Sequence, residues 1–314
     1  MSPTAANPRP FVHVLLATFQ GATFLDEQLS SLASQRGVAL RIWVADDGSY
    51  DNTLDLLRAR RDLDITILDV PPVGGATRNF LRLLAHARDV VQPGEWVAFC
   101  DQDDIWLPDK LERSVALLLS CEPGVPAMCG SPSLIVDPDN QVIGHSPIFG
   151  RAPGFGNALV QCIAGGNTLV MNREALMLMT AGRPPDVPSH DWWCYQLITG
   201  SGGRFLYDER PGLRYRQHVS NLQGTNRGVK AAISRMLGLF DGHFRRWNAR
   251  NIDALLDRET SLTPASRAQL QQYRLAASAR WPWQRMQALR RSRVYRQSPL
   301  QTLALFVACF FRKI

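Results

Sequence analysis

The chain has 314 residues, of which 45% are hydrophobic and 20% charged, a balance that excludes a disordered or collagen-like chain. No apolar run reaches the roughly 18–20 residues that a membrane-spanning helix needs, so a spanning segment is also excluded. The formal net charge is +7, but residues 260–314 carry ten basic and no acidic side chains, which leaves −3 for residues 1–259 and suggests a polyanionic partner for the C-terminal segment.

Strand and helix signals alternate along roughly the first 120 residues. Short apolar runs predict four buried strands, at residues 12–17, 41–45, 64–68 and 96–100. Helical periodicity predicts four helices, at residues 25–35, 53–61, 77–87 and 111–119. This alternation predicts an α/β fold with a mostly parallel sheet flanked by helices. Ligands bind outside the carboxyl ends of the strands in such sheets, so we expect the site there.

The pattern becomes mixed after about residue 128 and helical after Gly228. Strand-like pieces and helices are predicted at residues 168–171, 173–180, 191–200, 204–207 and 213–215. The N-terminus has no basic stretch followed by an apolar one, so we expect no secretory signal and a cytoplasmic chain. The six cysteines show neither CxxC nor zinc spacing, so we expect reduced thiols.

Acidic residues follow the predicted fourth strand as Asp101-Gln102-Asp103-Asp104. Three carboxylates this close repel one another unless a cation or hydrogen-bond donors intervene. Magnesium or manganese would relieve the repulsion, and the ion would also hold a diphosphate. The same residues also fit a simpler role, in which Asp103 or Asp104 caps the helix that begins near Pro108.

Polar residues of three further segments are candidates for a site. Asp46-Asp47-Gly48-Ser49 follows the second strand, where a carboxylate could accept a hydrogen bond from a nucleobase, but the segment is also a good turn sequence. Ser189-His190-Asp191 fits a helix cap followed by core aromatics. His218 lies after the last predicted strand, and an isolated histidine is commonly structural.

The order and spacing of these motifs resemble those of a family 2 glycosyltransferase with the GT-A fold. The matching segments are residues 16–21, 45–49, 77–80 and 99–112. The DQDDIW form with a downstream PDKLE resembles a rhamnosyltransferase-like subgroup that builds bacterial surface polysaccharides. The resemblance covers about residues 10–225. It implies a nucleotide-sugar-binding and catalytic GT-A domain at residues 1–225, with a Rossmann-like mixed sheet, and a basic helical C-terminal region at residues 226–314.

The resemblance also implies roles for matching residues. The implied donor-binding residues are Thr18, Gln20, Asp46, Asp47, Arg78, Asp101 and Gln102. The implied ligands of Mg²⁺ or Mn²⁺ are Asp103, Asp101 and His218, with Asp104 as an additional candidate. Asp191 is implied as the general base that takes the proton of the acceptor hydroxyl. The implied acceptor-binding residues are Gly166, Asn167, His190 and Trp192, and His190 stands where family members often carry an acid.

The function implied by the resemblance is inverting, metal-dependent glycosyl transfer in the synthesis of a surface polysaccharide such as lipopolysaccharide. The donor is a nucleotide-diphosphate sugar, with dTDP-rhamnose as one candidate, and the acceptor is a glycan or a lipid-linked sugar. Apolar and basic residues at 303–313 suit an interfacial helix on the anionic inner face of the cell membrane, although they also fit a solvated appendage or an oligomer contact. The sequence does not indicate an oligomeric state.

Two other functions compete with this interpretation. The chain could be a non-catalytic member of the same fold that binds a nucleotide sugar or forms a scaffold. It could also bind nucleic acid through the basic segment, but no nucleic-acid-binding motif occurs, so we expect no nucleic acid partner.

Overall fold

The computed structural model describes residues 9–218 and 242–314. The strands are β1 (Phe11–Thr18), β2 (Ala39–Asp46), β3 (Ile65–Ile67), β4 (Trp96–Cys100), β5 (Ile105–Trp106), β6 (Ala127–Gly130), β7 (Ser133–Val136), β8 (Val142–His145), β9 (Val170–Asn172), β10 (Arg204–Tyr207) and β11 (Leu213–Arg216). The predicted domain boundary at residues 225–226, the start of the helical region at Gly228 and most of the N-terminus on which the signal prediction rests lie outside the described residues.

The helices are α1 (Leu25–Ala33), α2 (Thr53–Ala59), α3 (Ala76–Val90), α4 (Lys110–Leu118), α5 (Phe155–Ala158), α6 (Arg173–Thr180), α7 (His190–Gly200), α8 (His243–Asp257), α9 (Pro264–Ser278), α10 (Pro282–Arg291) and α11 (Pro299–Phe310). Short 3-10 turns occur at Gly166–Thr168 and Glu259–Ser261. None of the helices within residues 9–218 and 242–314 combines the length and apolar character needed to cross a bilayer.

Seven strands form the main sheet in the order β10-β6-β9-β4-β1-β2-β3. All its pairings are parallel except those of β9, which is antiparallel to both β4 and β6. The predicted mixed, mostly parallel sheet is confirmed. The run of apolar residues in β1 is buried on both faces, as expected of a central parallel strand.

Side chains from β1 point alternately into two hydrophobic cores, one on each face of the sheet. Leu15 packs into the core that contains residues of α3, whereas Val14 and Leu16 pack into the core formed with α1 and α4. The two-residue period of the strand places successive side chains on opposite faces. The sheet is therefore covered by helices on both sides, and its carboxyl edge remains for the loops that carry the acidic motifs.

A second sheet has the strand order β5-β11-β7-β8 and was not predicted as a separate sheet. It begins with β5, directly after the turn that carries Asp101–Asp104, and β5 pairs antiparallel with β11. Residues 213–216 of β11 also run parallel to β7. The second sheet thus holds β11 beside the acidic turn, and the chain continues from β11 to His218.

The helical C-terminal region packs against the α/β body through α5 and the loop that follows α10. Asn157 Nδ2 donates to the carbonyl of Tyr295 at 3.0 Å, and Arg296 donates to the carbonyl of Val160 at 2.9 Å. Residues of α7, α9 and α11 belong to one hydrophobic core, including Trp193 and Leu305. The region is therefore attached to the body by apolar packing as well as by hydrogen bonds.

Candidate active site

Gln102 joins the turn after β4 to the loop after β1. Its Oε1 accepts the backbone N–H of Phe19, and its Nε2 donates to the carbonyl of Phe19, both at 2.9 Å. Gly21 lies against this side chain, and a Cβ at Gly21 would come within 2.6 Å of Gln102 Cδ. Gln102 therefore positions the β1 loop, and its predicted contact with the donor stays a prediction.

Asp46 organises the turn that follows β2. Its Oδ1 accepts the hydroxyls of Thr18 at 2.7 Å and Ser49 at 2.6 Å, and its Oδ2 accepts the N–H of Ser49 at 2.7 Å. The backbone N–H of Gln20 donates to Ser49 Oγ at 2.9 Å, so three of the predicted donor residues meet in one network. A cavity of about 440 Å³ opens beside Asp46 and Pro72. Contact of these residues with a nucleobase stays a prediction.

Asp47 holds the loop that leads into α3. Its carboxylate accepts the backbone N–H groups of Val73 at 2.6 Å, Gly74 at 3.1 Å and Gly75 at 2.7 Å. Arg78 in the first turn of α3 donates weakly to the carbonyl of Val73 at 3.5 Å. The structure thus brings Asp47 and Arg78 to the same loop, next to the Asp46 turn.

Asp103 and His218 meet at the end of β4, with 2.8 Å between Asp103 Oδ2 and His218 Nε2. Burial, together with the neighbouring charges of Asp103 and Asp191, raises the pKa of Asp101 to about 7. In the described part of the chain, no three His, Cys, Asp or Glu side chains are arranged to hold a metal ion. The two groups nevertheless fit a cation such as Mn²⁺, because such ions are commonly held by one or two carboxylates together with substrate phosphates.

Asp104 is buried away from the Asp103–His218 pair and links the acidic turn to the Gly166–Thr168 turn. Its Oδ2 accepts Asn167 Nδ2 at 2.5 Å, and its Oδ1 accepts the N–H of Arg216 at 3.4 Å. Burial, with the charges of Asp103 and Asp101, raises the pKa of Asp104 well above its usual value. The alternative in which Asp103 or Asp104 caps the next helix is wrong, because α4 begins at Lys110 and its N-cap residue is Asp109.

Arg216 is fully buried and binds protein groups from three segments. It donates to the carbonyl of Asp103 at 3.2 Å, to Glu27 Oε2 at 2.8 Å and to the carbonyl of Pro138 at 2.5 Å. Its guanidinium lies over the ring of Phe24, 4.6 Å from the centroid. These contacts give Arg216 the role of holding the acidic turn in place.

Asp191 stands at the start of α7, one residue after the helix begins. Its Oδ2 accepts the N–H of Gly166 at 3.2 Å, and its Oδ1 accepts the N–H of Trp192 at 2.7 Å and the hydroxyl of Ser189. Ser189 is also the N-cap of α7, so the predicted helix cap and the carboxylate occur together. Burial raises the pKa of Asp191 to about 6, although the two N–H groups oppose this rise.

His190 and Trp192, two of the predicted acceptor-binding residues, have buried side chains. The His190 ring stacks on Phe80 at a centroid distance of 4.1 Å, and burial lowers its pKa to about 3. Trp192 Nε1 donates to the carbonyl of Ala158 at 2.6 Å. Both positions favour a packing role over acceptor contact. Of the predicted acceptor group, Gly166 lies directly beside Asp191.

Three residues of the site were not predicted from the sequence. Ser49, Ser189 and Glu27 contribute hydrogen bonds to the site but were not predicted as site residues. Ser49 and Ser189 belong to quoted motifs, so a turn or cap signal was present for them. Glu27 has no such signal, because it pairs with a residue 189 positions away.

Comparison with known proteins shows which glycosyltransferases the chain is similar to. Residues 13–136 match the family model described as Glycosyl transferase family 2. The chain is 28% identical over 255 residues to the dTDP-rhamnosyl transferase RfbG of Shigella flexneri. This alignment covers 77% of this chain and 85% of that protein. It is 25% identical over 168 residues to WfgD of Escherichia coli, a UDP-Glc:alpha-D-GlcNAc-diphosphoundecaprenol beta-1,3-glucosyltransferase, covering 52% of this chain and 61% of that protein.

A solved structure shows the same fold. The mannosyltransferase PcManGT from Pyrobaculum calidifontis, in complex with GDP-Man and Mn²⁺, superposes with a TM-score of 0.55 and 19% identity, covering 97% of this chain and 86% of that chain. The predicted GT-A fold and the predicted resemblance are thus confirmed. The match of residues 13–136 to the family model and the similarity to RfbG over most of its length thus make this chain similar to family 2 glycosyltransferases, including a rhamnosyltransferase.

Proposed function

We propose that the chain is an inverting, metal-dependent glycosyltransferase. The observation that carries this proposal is the arrangement around Asp101. Asp103, which pairs with His218, and Asp191 are both near enough to Asp101 for their charges to raise its pKa. A group that can bind the donor diphosphate through a metal and a group that can accept a proton thus share one edge of the sheet. Inverting transfer needs both groups at neighbouring positions.

Asp191 is the proposed general base. The acceptor hydroxyl oxygen forms a bond to the anomeric carbon while its proton passes to Asp191 Oδ2. The bond from the anomeric carbon to the diphosphate breaks, and the nucleoside diphosphate leaves with the electron pair. A carboxylate with a pKa of about 6 is mostly ionised at neutral pH yet still basic enough to accept a proton in the transition state. Its bonds to Gly166 and Trp192 hold the carboxylate in a fixed orientation.

Asp103 and His218 are the proposed metal ligands, with Asp101 beside them. A divalent ion bound there would offset the negative charge of the donor diphosphate and of the leaving group. The pKa of Asp101, raised by burial and by the charges of Asp103 and Asp191, supports this assignment, because a cation would favour the ionised carboxylates at this turn. The presence of Mn²⁺ in the PcManGT complex supports a divalent ion of this class.

The donor and acceptor are proposed from the relatives. The similarity to RfbG supports L-rhamnose from a dTDP donor, bound by the predicted donor residues around Asp46, Asp47 and Arg78. The similarity to WfgD supports a glycan acceptor carried on a diphosphate lipid, and hence surface polysaccharide synthesis at the inner face of the membrane. Residues 1–225 would form the donor-binding and catalytic domain, and the basic region at residues 226–314 would contact the membrane.

A thermal-shift experiment tests the donor and metal assignments together. The midpoint of unfolding is measured with dTDP, UDP and GDP, each with and without Mn²⁺. A ligand at about 100 times its dissociation constant should add about 2.7 kcal/mol to the free energy of unfolding. We expect a metal-dependent shift with dTDP, and we expect Asp103→Asn to remove the part that depends on metal.

The matched control is Asp139→Asn, which changes an exposed carboxylate in the loop between β7 and β8. This variant should keep the full shift. Release of dTDP from dTDP-rhamnose, with and without acceptor, then tests the reaction itself. An equal shift for Asp103→Asn and wild type would contradict the metal site, and no shift with any nucleotide would contradict the donor site.

A further inference from the structure

The last helix of the described chain, α11, is apolar on two faces. Its inward face is buried through Ala304, Leu305, Ala308 and Cys309. An exposed stripe on another face consists of Leu300, Leu303, Val307, Phe310 and the adjoining Phe311. Residues at these spacings share one side of a helix, and α11 contains no charged residue. A helix that is apolar on its outer as well as its inner face is typical of one that lies against a further apolar phase.

A second exposed aromatic pair lies close to the end of α11. Trp281 and Trp283 stack with ring centroids 4.9 Å apart, and Trp283 is 63% exposed. The buried Arg285 joins this segment to α11, because it donates to the carbonyl of Arg280 at 2.8 Å and to that of Cys309 at 2.9 Å. The tryptophan pair and the end of the apolar stripe are thus held next to each other by one guanidinium.

The charged residues of this C-terminal segment are all basic. Six arginines of residues 260–314 are exposed: Arg274, Arg280, Arg290, Arg291, Arg293 and Arg312. No acidic residue occurs in this segment to compensate them. Exposed tryptophan and leucine combined with arginine is the composition of surfaces that lie in the headgroup region of a bilayer.

We infer that this surface, formed by the α11 stripe, the Trp281–Trp283 pair and the exposed Arg280 and Arg312 beside them, docks on an anionic lipid bilayer. The helix has 12 residues and would be about 18 Å long, which is too short to cross a hydrocarbon core of about 30 Å, so it lies in the plane of the interface. The arginines bind anionic headgroups while the apolar stripe enters the acyl boundary.

Other occupants fit the surface less well. A second copy of the chain in a two-fold contact would bring the same uncompensated arginines face to face. Nucleic acid would satisfy the arginines but would leave the leucine, valine and phenylalanine side chains of the stripe exposed. A bilayer with anionic lipids complements both the charge and the apolar surface.

This inference deepens the proposed function, since a lipid-linked acceptor would lie in the same membrane, but it is tested without any donor or acceptor. The full chain is sedimented with vesicles of phosphatidylcholine containing phosphatidylglycerol, and with phosphatidylcholine vesicles alone. We expect binding to the anionic vesicles that weakens as salt is added. Leu303→Glu/Val307→Glu should lower the partition coefficient by roughly tenfold or more, since it places charge in the acyl boundary.

Leu119→Glu is the matched control, because Leu119 is 65% exposed and Leu303 is 61% exposed, yet Leu119 lies at the end of α4. It should bind like wild type. Arg280→Gln/Arg312→Gln should also lower binding by roughly tenfold, and it decides the question if the glutamate variant fails to fold. The dTDP thermal shift is measured on every variant and should be unchanged, which separates this inference from the donor site.

Several outcomes would overturn the inference. The inference is wrong if the wild-type protein does not sediment with anionic vesicles. It is also wrong if the glutamate and glutamine variants bind these vesicles as the wild-type protein does. Wild type that forms dimers in sedimentation velocity, is dispersed by Leu303→Glu/Val307→Glu and ignores vesicles would assign the surface to a second copy. Loss of the dTDP shift in wild type, with vesicle binding intact, would contradict the donor assignment and leave the docking surface standing.

Discussion

The substitution Gly166→Ala tests whether the turn behind Asp191 controls the proposed base. A Cβ at Gly166 would lie 2.9 Å from His190 Cε1 and closer still to His190 Nε2, which is nearer than real Cβ atoms approach other atoms. The His190 ring has little room to move, because it stacks on Phe80 and meets Phe99 edge-on at 4.9 Å. The added methyl group therefore displaces the Gly166–Thr168 turn.

The expected cost follows from two contributions. Overpacking of this kind costs about 1–3 kcal/mol of the free energy of unfolding. Displacing the turn also weakens the N–H bond from Gly166 to Asp191 Oδ2, a bond to a charged group worth about 1.5–3 kcal/mol when intact. Because Asp191 would then be misplaced relative to the acceptor, we expect kcat to fall on the order of 10²-fold.

A double-mutant cycle with His190→Ala checks this explanation. Removing the imidazole makes room for the methyl group, so the two changes together should cost about 1–2 kcal/mol less than the sum of the single changes in urea unfolding. Gly150→Ala is the control, because no heavy atom lies within 4 Å of a Cβ there. The reasoning is refuted if Gly166→Ala unfolds and turns over like wild type, or if its cost simply adds to that of His190→Ala.

Three further predictions concern single carboxylates. For wild type, kcat/KM should rise with pH through an apparent pKa of about 6, because Asp191 accepts a proton only when ionised. Asp191→Asn should lose this rise of kcat/KM with pH and nearly all activity. The control Asp139→Asn should keep the wild-type pH profile. The same Asp191→Asn change should raise the free energy of unfolding at pH 7 by about 2 kcal/mol. The pKa of Asp191 is higher in the folded state, so wild type loses stability as pH rises through about 6. An unchanged unfolding midpoint for the variant would contradict this prediction. Asp47→Asn should weaken dTDP binding by roughly tenfold, because three N–H groups of residues 73–75 lose a charged acceptor. The control Asp55→Asn, on the exposed side of α2, should bind dTDP like wild type. Equal dissociation constants for the two variants would show that this loop does not shape the donor site.

The first half of the main sheet was predictable from the sequence because its signals are local. Strands β1, β2 and β4 are mostly apolar runs, and each is followed by a segment that contains Gly, Asp or Ser. Of the second sheet only β11 was predicted, at residues 213–215, since β5 has two residues and β7 and β8 have four each. Its pairing of Trp106 with Leu213 depends on chain segments far apart in sequence, which periodicity cannot reveal.

The location of the acidic residues was predictable, but their hydrogen-bond partners were not. The rule that ligands bind at the carboxyl edge of a parallel sheet placed Asp46 and Asp103 at one edge. In sequence, however, Asp103 and Asp104 are equivalent neighbours. In the structure Asp103 meets His218, whereas Asp104 is buried against Asn167.

This difference between neighbours makes the site one connected unit. The acidic turn reaches the proposed metal site through Asp103, and it reaches the Gly166–Thr168 turn through the bond from Asp104 to Asn167. Within the Gly166–Thr168 turn, the backbone N–H of Gly166 donates to Asp191 Oδ2. A shift of the acidic turn therefore moves both the ligands for the donor diphosphate and a hydrogen bond that orients the proposed base. Since transfer requires the leaving group and the base to be aligned across the anomeric carbon, a rigid link between them favours catalysis more than independent loops would.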